Sequence, residues 1–175
     1  MEIINKNNLS ITNEELEKLY LIYYDNVSSG DIKYVNNDKE EWINEIKSFS
    51  NTNYYLFYDN NYLIGYIIIY PKDDSNYIRE FEIIKNYQND GKTFIDMIRM
   101  TLPYTDTNKA YEGRILSYND TAKMSFKRVG ALVNNGMFVC TYDRLIKMLH
   151  TDTTMFRKKS PPKKKNSSIK KVQRK

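Results

Sequence analysis

The stretch YQNDGKTF, Tyr87 to Phe94, has two readings, and the choice between them decides the fold. Gly91-Lys92-Thr93 reproduces the end of a P-loop, G-x-x-x-x-G-K-[ST], whose first glycine lets the backbone wrap a phosphate. Five residues before Gly91 stands Asn86, so that glycine is missing. The stretch follows a hairpin and one further strand rather than the first strand of a parallel sheet, and no later acidic strand end offers itself to magnesium. The second reading is Q/R-x-x-G-x-G/A, filled by Gln88, Gly91 and Thr93. In that pattern a strand ends in a tight turn that opens a helix, and backbone amides at the positive helix end hold a pyrophosphate.

The elements around the stretch favour the second reading. ITNEELEKLYLIYYDN has Thr12 and Glu15 at capping-box spacing, then Leu16, Leu19, Tyr20 and Tyr23 at helical spacing, which predicts a helix over 13–24. Asp38 as N-cap with Trp42, Ile46 and Phe49 on one face predicts a second helix. Two aromatic and β-branched runs flank Asp59-Asn60-Asn61, the signal of a β-hairpin. NYIREFEII reads as the strand before the turn, with Ile78, Glu80 and Glu82 alternating imperfectly against Arg79, Phe81 and Ile83. Phe94, Met97, Ile98 and Leu102 then mark a helix that Pro103 stops. YEGRILSY is a strand, and NDTAKMSFKRVG is a short helix capped by Asn119 or Asp120 and ended at Gly130. ALVNNGMFVCTYDRL reads as two strands joined through Asn135-Gly136. The order predicts an α/β or α+β three-layer fold, with a mixed, largely antiparallel central sheet flanked by helices.

A second motif joins the first. Asn119, Ala122, Phe126 and Gly130 fill N-x-x-A-x-x-x-[YF]-x-x-x-G about thirty residues after Gly91. With both motifs in place, the chain from about residue 1 to 149 resembles a divergent member of the GNAT superfamily of N-acetyltransferases. The resemblance implies transfer of an acetyl group from acetyl-CoA, as co-substrate and without a metal, to a small-molecule or peptide amine. It implies that Gln88, Asn89, Asp90, Gly91, Lys92 and Thr93 form the pyrophosphate loop, with Lys92 adding a charge contact. Ile83 and Ile84 would offer backbone groups to the pantetheine arm, while Asn119 and Phe126 would flank the cofactor.

Acetyl transfer needs a base for the amine proton, donors for the oxyanion and an acid for the departing thiolate. Glu80 and Glu82, on the strand before the loop, are the candidate bases, the alternative being solvent-facing strand positions. Family members often place a tyrosine acid where Phe126 stands, and phenylalanine has no proton to give; Tyr118 and Ser125 are the nearby hydroxyls in sequence. Thr93 for the usual Gly or Ala, and Gly130-Ala131 for the usual Gly-Phe, are further departures. The other reading is therefore a weak or inactive acyl-CoA-binding domain tethered by its tail to nucleic acid or an acidic partner.

The charge divides the chain in two. Between Arg157 and Lys175 lie ten Lys and Arg and no acid, leaving 17 basic against 22 acidic side chains in residues 1–156. The 151–175 segment, with Pro161-Pro162 and few apolar residues, reads as a disordered basic tail behind a 1–150 domain. It suits a solubilising tail, a nonspecific nucleic-acid contact through residues 157–175, or a nuclear localisation signal. Without an 18-residue apolar run or a signal-like start, a cytoplasmic or nuclear protein is expected, with no membrane contact. Cys140 is expected in the core, and His150 exposed.

Overall fold

The computed structural model describes residues 1–28, 38–88, 91–116 and 119–151, Thr151 in its backbone only. Asn89, Asp90, Tyr118 and nearly all of the 151–175 tail lie outside them.

Seven strands form one sheet in the order β1-β2-β3-β4-β5-β7-β6. They are β1 (Glu2–Asn7), β2 (Asn53–Asp59), β3 (Tyr62–Pro71), β4 (Ser75–Ile83), β5 (Ala110–Arg114), β6 (Leu132–Asn134) and β7 (Met137–Cys140). All neighbours pair antiparallel except β4 and β5. The hairpins turn where the sequence places them: Asn60 and Asn61 carry φ of 49 and 64°, Asn135 and Gly136 of 48 and 73°. Two left-handed residues in a two-residue loop match the twist of the flanking strands.

Two helices cover one face: α1 (Asn13–Val27) and α2 (Lys39–Lys47). The α1 capping box is complete, Thr12 accepting from the Glu15 amide while Glu15 accepts from the Thr12 amide. Leu16, Leu19, Tyr23, Trp42 and Ile46 pack there on Tyr54, Leu56, Tyr66 and Ile68. Phe49 falls beyond the end of α2 and stacks on Tyr70 at 4.6 Å. On the other face Ile67, Ile69, Ile78 and Phe138 meet α3 (Lys92–Thr101), α4 (Asp120–Arg128) and α5 (Tyr142–Thr151).

Helix α5 corrects the reading of the C-terminal segment as strand followed by tail. Tyr142, Leu145, Ile146 and Leu149 stand at helical spacing, and Leu145 and Leu149 are buried. The strand β7 ends at Cys140, itself buried, and His150 is exposed near the end of α5.

A second correction concerns β4. Ile69 pairs with Ile78 but Ile68 pairs with Glu80, so Arg79 is an extra residue, a β-bulge. The imperfect alternation read from the sequence groups Ile78 on one face with Glu80 and Glu82. The bulge instead keeps Ile78 in the α3–α5 core and turns Glu80 and Glu82 toward α1, opposite Ile68 and Tyr66. A bulge bends its strand, and the parallel pairing to β5 stops at Ile78 opposite Gly113, immediately before it. Beyond that point β4 and β5 part.

Candidate active site

The gap between the parting strands is a cleft of about 150 Å3, lined among others by Tyr23, Glu80, Glu82, Arg114, Asn119 and Phe126. Its β4 edge has a definite polarity. The Ile84 amide donates to the Ile64 carbonyl at 2.9 Å, so it points to β3. In a trans peptide the preceding carbonyl points the opposite way, which aims the Ile83 carbonyl away from β3. The Ile84 carbonyl accepts from the Tyr87 amide at 2.9 Å.

Glu80 and Glu82 do not face open solvent. Both are enclosed between the sheet and α1 but keep an edge on the cleft, the Glu80 side chain being 15% exposed. Burial pushes the Glu80 carboxyl up to about 7; Arg79, whose Nε is 3.7 Å from it, opposes the rise. Burial likewise pushes Glu82 up to about 8, with the Glu80 charge adding to the rise and a hydrogen bond from Asn26 offsetting part of it. The Tyr66 hydroxyl lies beside them, fully buried and without a hydrogen-bond partner among the described residues, its pKa raised well above the usual value by that burial. Arg79 itself is paired with Glu45 of α2.

The turn following β4 is held by side chains. A 3-10 turn at Lys85–Tyr87 leads to Gln88. The Gln88 Nε2 donates to the Ile83 carbonyl at 2.6 Å and to Asn26 Oδ1 at 3.0 Å. Gly91 is the N-cap of α3, at φ 63°, a conformation glycine adopts without strain. It has no side chain with which to cap the first-turn amides, which have no partner within their own helix. Thr93 is buried at 6% exposure, so its additional atoms are packed within the protein. Lys92 pairs with Asp96 one turn on.

The opposite wall is apolar. Phe126 stacks on Phe138 at 3.9 Å and meets Phe94 and Phe81 edge-on at 5.3 and 6.0 Å. No hydroxyl stands at that position. Asn119 caps α4, accepting from the Ala122 amide at 2.9 Å, and lines the cleft. Ser125 is half-buried on α4 and is not among the cleft residues. Three lining or linking residues escape a linear reading. Tyr23 reads from its spacing only as part of the apolar face of α1. Arg114 ends β5, and Asn26 stands 56 positions from the carboxylate it holds.

No family model matches the sequence, and no curated protein matches it. Solved structures do resemble the fold. An N-acetyltransferase from Staphylococcus aureus superposes with a TM-score of 0.56 at 16% identity, over 82% of this chain and 99% of that one. A spermidine N-acetyltransferase chimera of SpeG from Vibrio cholerae and hSSAT gives 0.58 at 12% identity, over 82% and 99%. The PaiA N-acetyltransferase from Thermoplasma acidophilum, solved with coenzyme A, gives 0.53 at 14%, over 79% and 97%. The chain has the GNAT fold, in a sequence far diverged from these structures.

Proposed function

We propose that the protein is an acetyl-CoA-dependent N-acetyltransferase. The observation that carries the reading is the parting of β4 from β5 at the Arg79 bulge. It opens a cleft that has raised carboxyls on one side and aromatic rings on the other, with the Ile83 carbonyl turned away from β3 just beyond it. These residues fit a thioester cofactor. Ile83 can pair with an amide-bearing arm, the turn ending at Gly91 suits the pyrophosphate, and Phe81, Phe126 and Phe138 suit the apolar acyl end. Bound there, acetyl-CoA supplies the activated acyl group.

Glu82, or Glu80 beside it, takes the proton of the acceptor amine; a base poised near neutrality matches that task. The new C–N bond forms as the C–S bond breaks, and the sulfur leaves as thiolate. With Phe126 in place of a hydroxyl, water or Tyr118, which lies outside the described residues, protonates it. The two carboxyls favour a cationic amine, on a small molecule or a peptide, as acceptor.

Calorimetric titration with acetyl-CoA, with Gly91→Glu as control, tests the reading. Micromolar binding lost in the variant, together with acetylation of members of an amine panel, is expected. No binding overturns the assignment, and binding without transfer to any amine overturns the enzymatic part of it.

A further inference from the structure

Asn26 sits in the last turn of α1, and its carboxamide is the centre of a small network. Its Nδ2 donates to Glu82 Oε2 at 2.6 Å and to the Ile83 carbonyl at 3.0 Å, and its Oδ1 accepts from Gln88 Nε2 at 3.0 Å. Gln88 also donates to the same Ile83 carbonyl, at 2.6 Å. One residue thus touches the candidate base, the strand-edge carbonyl turned away from β3, and the first motif residue of the pyrophosphate turn.

The Ile83 carbonyl has two lone pairs, and two amide donors already occupy them. A ligand N–H that pairs with this carbonyl has to displace one donor, and either displacement alters Asn26. If Gln88 leaves, Asn26 Oδ1 loses the hydrogen bond that fixes the plane of its carboxamide. If the Asn26 donor leaves, its grip on Glu82 is re-aimed. We infer that Asn26 is a positioning residue that couples occupancy of the strand edge and the Gln88 turn to the state of the Glu82 carboxyl. The inference rests on the acetyl-CoA reading above and adds a link between cofactor arrival and the base. By linkage, a ligand that changes the surroundings of a titrating group must exchange protons with solvent as it binds.

Several charged or titratable groups face Glu82. Glu80 and Arg79 come from its own strand, Tyr66 from β3 and Tyr23 from α1. Glu45 of α2 stands behind Arg79, and Arg114 faces the cleft from β5. The Asp25–Lys85 ion pair, at 2.9 Å, flanks the same end of α1. None of these touches both Glu82 and Gln88, so Asn26 is the direct bridge among the described residues.

The test is acetyl-CoA binding by calorimetry in pairs of buffers of different ionisation enthalpy, from pH 6.5 to 9, which counts protons exchanged without any acceptor present. Wild type is expected to exchange a sizeable fraction of a proton, largest near pH 8. Asn26→Ala is expected to lose at least half of that exchange per mole of acetyl-CoA bound, and Gln88→Leu to lose as much with weaker binding, while Asn26→Ser, which keeps a short polar group, recovers part of it. Should Asn26→Ala fail to fold, Asn26→Ser and Gln88→Leu, compared per mole of acetyl-CoA bound, decide. Binding with equal proton exchange in wild type and variants, or with none in wild type, overturns the role of Asn26 and leaves the acetyltransferase reading standing. No binding by wild type overturns both.

Discussion

Replacing Glu82 with glutamine should stabilise the protein in alkali and leave it nearly unchanged in mild acid. Folding moves the Glu82 carboxyl from its ordinary 4.5 to about 8. A carboxyl raised by folding stabilises fully below the unfolded value, and that stability drains away as pH climbs through the folded value, because the unfolded chain ionises first. At about 1.4 kcal/mol per pH unit, the shift caps the loss at about 5 kcal/mol. Solvent at the cleft edge screens the carboxyl, and a gain of roughly 2–3 kcal/mol at pH 9 is the working figure. Glutamine cannot ionise, keeps an oxygen for the Asn26 donor and has nearly the same shape. Urea denaturation at pH 4 and pH 9 measures the effect: the variant and wild type should agree within about 0.5 kcal/mol at pH 4 and diverge, variant above, at pH 9. Equal differences at both pH values, or a variant weaker at pH 9, would refute the buried, raised carboxyl and imply one that is ionised and paired.

Three further outcomes are expected. Thr12→Ala removes half of the α1 capping box and should cost about 1 kcal/mol in a denaturation experiment; an unchanged midpoint would discount the cap. Gly113→Ala would set a Cβ 2.6 Å from both the Ile78 carbonyl and Phe138 Cε1, at the last rung before the strands part. A loss of about 1–3 kcal/mol or more is expected, and a neutral result would mean that β4 and β5 are not held so closely. Phe126→Tyr puts a hydroxyl beside the cleft; if thiolate departure limits turnover, the rate with an accepted amine should rise by about tenfold or more, whereas a stable variant with no gain would show that the missing acid costs nothing.

Local signals were legible wherever a residue's own backbone preference decides the structure. Asn60-Asn61 and Asn135-Gly136 turn because they tolerate positive φ, and Thr12 with Glu15 starts α1 because both partners of the box lie within four residues. Gly91 is equally readable as the residue that opens α3, since it adopts a left-handed conformation there. What failed was non-local or depended on counting. TYDRLIKMLH carries the i, i+3, i+4, i+7 pattern of a helix, but it was absorbed into the preceding hairpin signal. The Arg79 bulge has no residue signature, so the faces of Ile78 and Glu80 could not be separated from the sequence. Ile84 looked equivalent to Ile83 until the direction of each peptide was known. Asn26 meets Glu82 only because α1 packs across β4, and no spacing rule reaches across 56 residues.

The bulge also has a consequence for how this site can change. Whether β4 bends away from β5 is set by the number of residues in β4, not by their chemistry. Delete Arg79 and the ladder to β3 becomes regular: Ile78 still pairs with Ile69 and Glu80 with Ile68, so the acids keep their side of the sheet. What the strand loses is its bend, and with it the turn away from β5 after Ile78. Point substitutions can tune this cleft by degrees. A single-codon deletion would narrow it in one step, so length variation in β4 should be far less tolerated than variation in residue type.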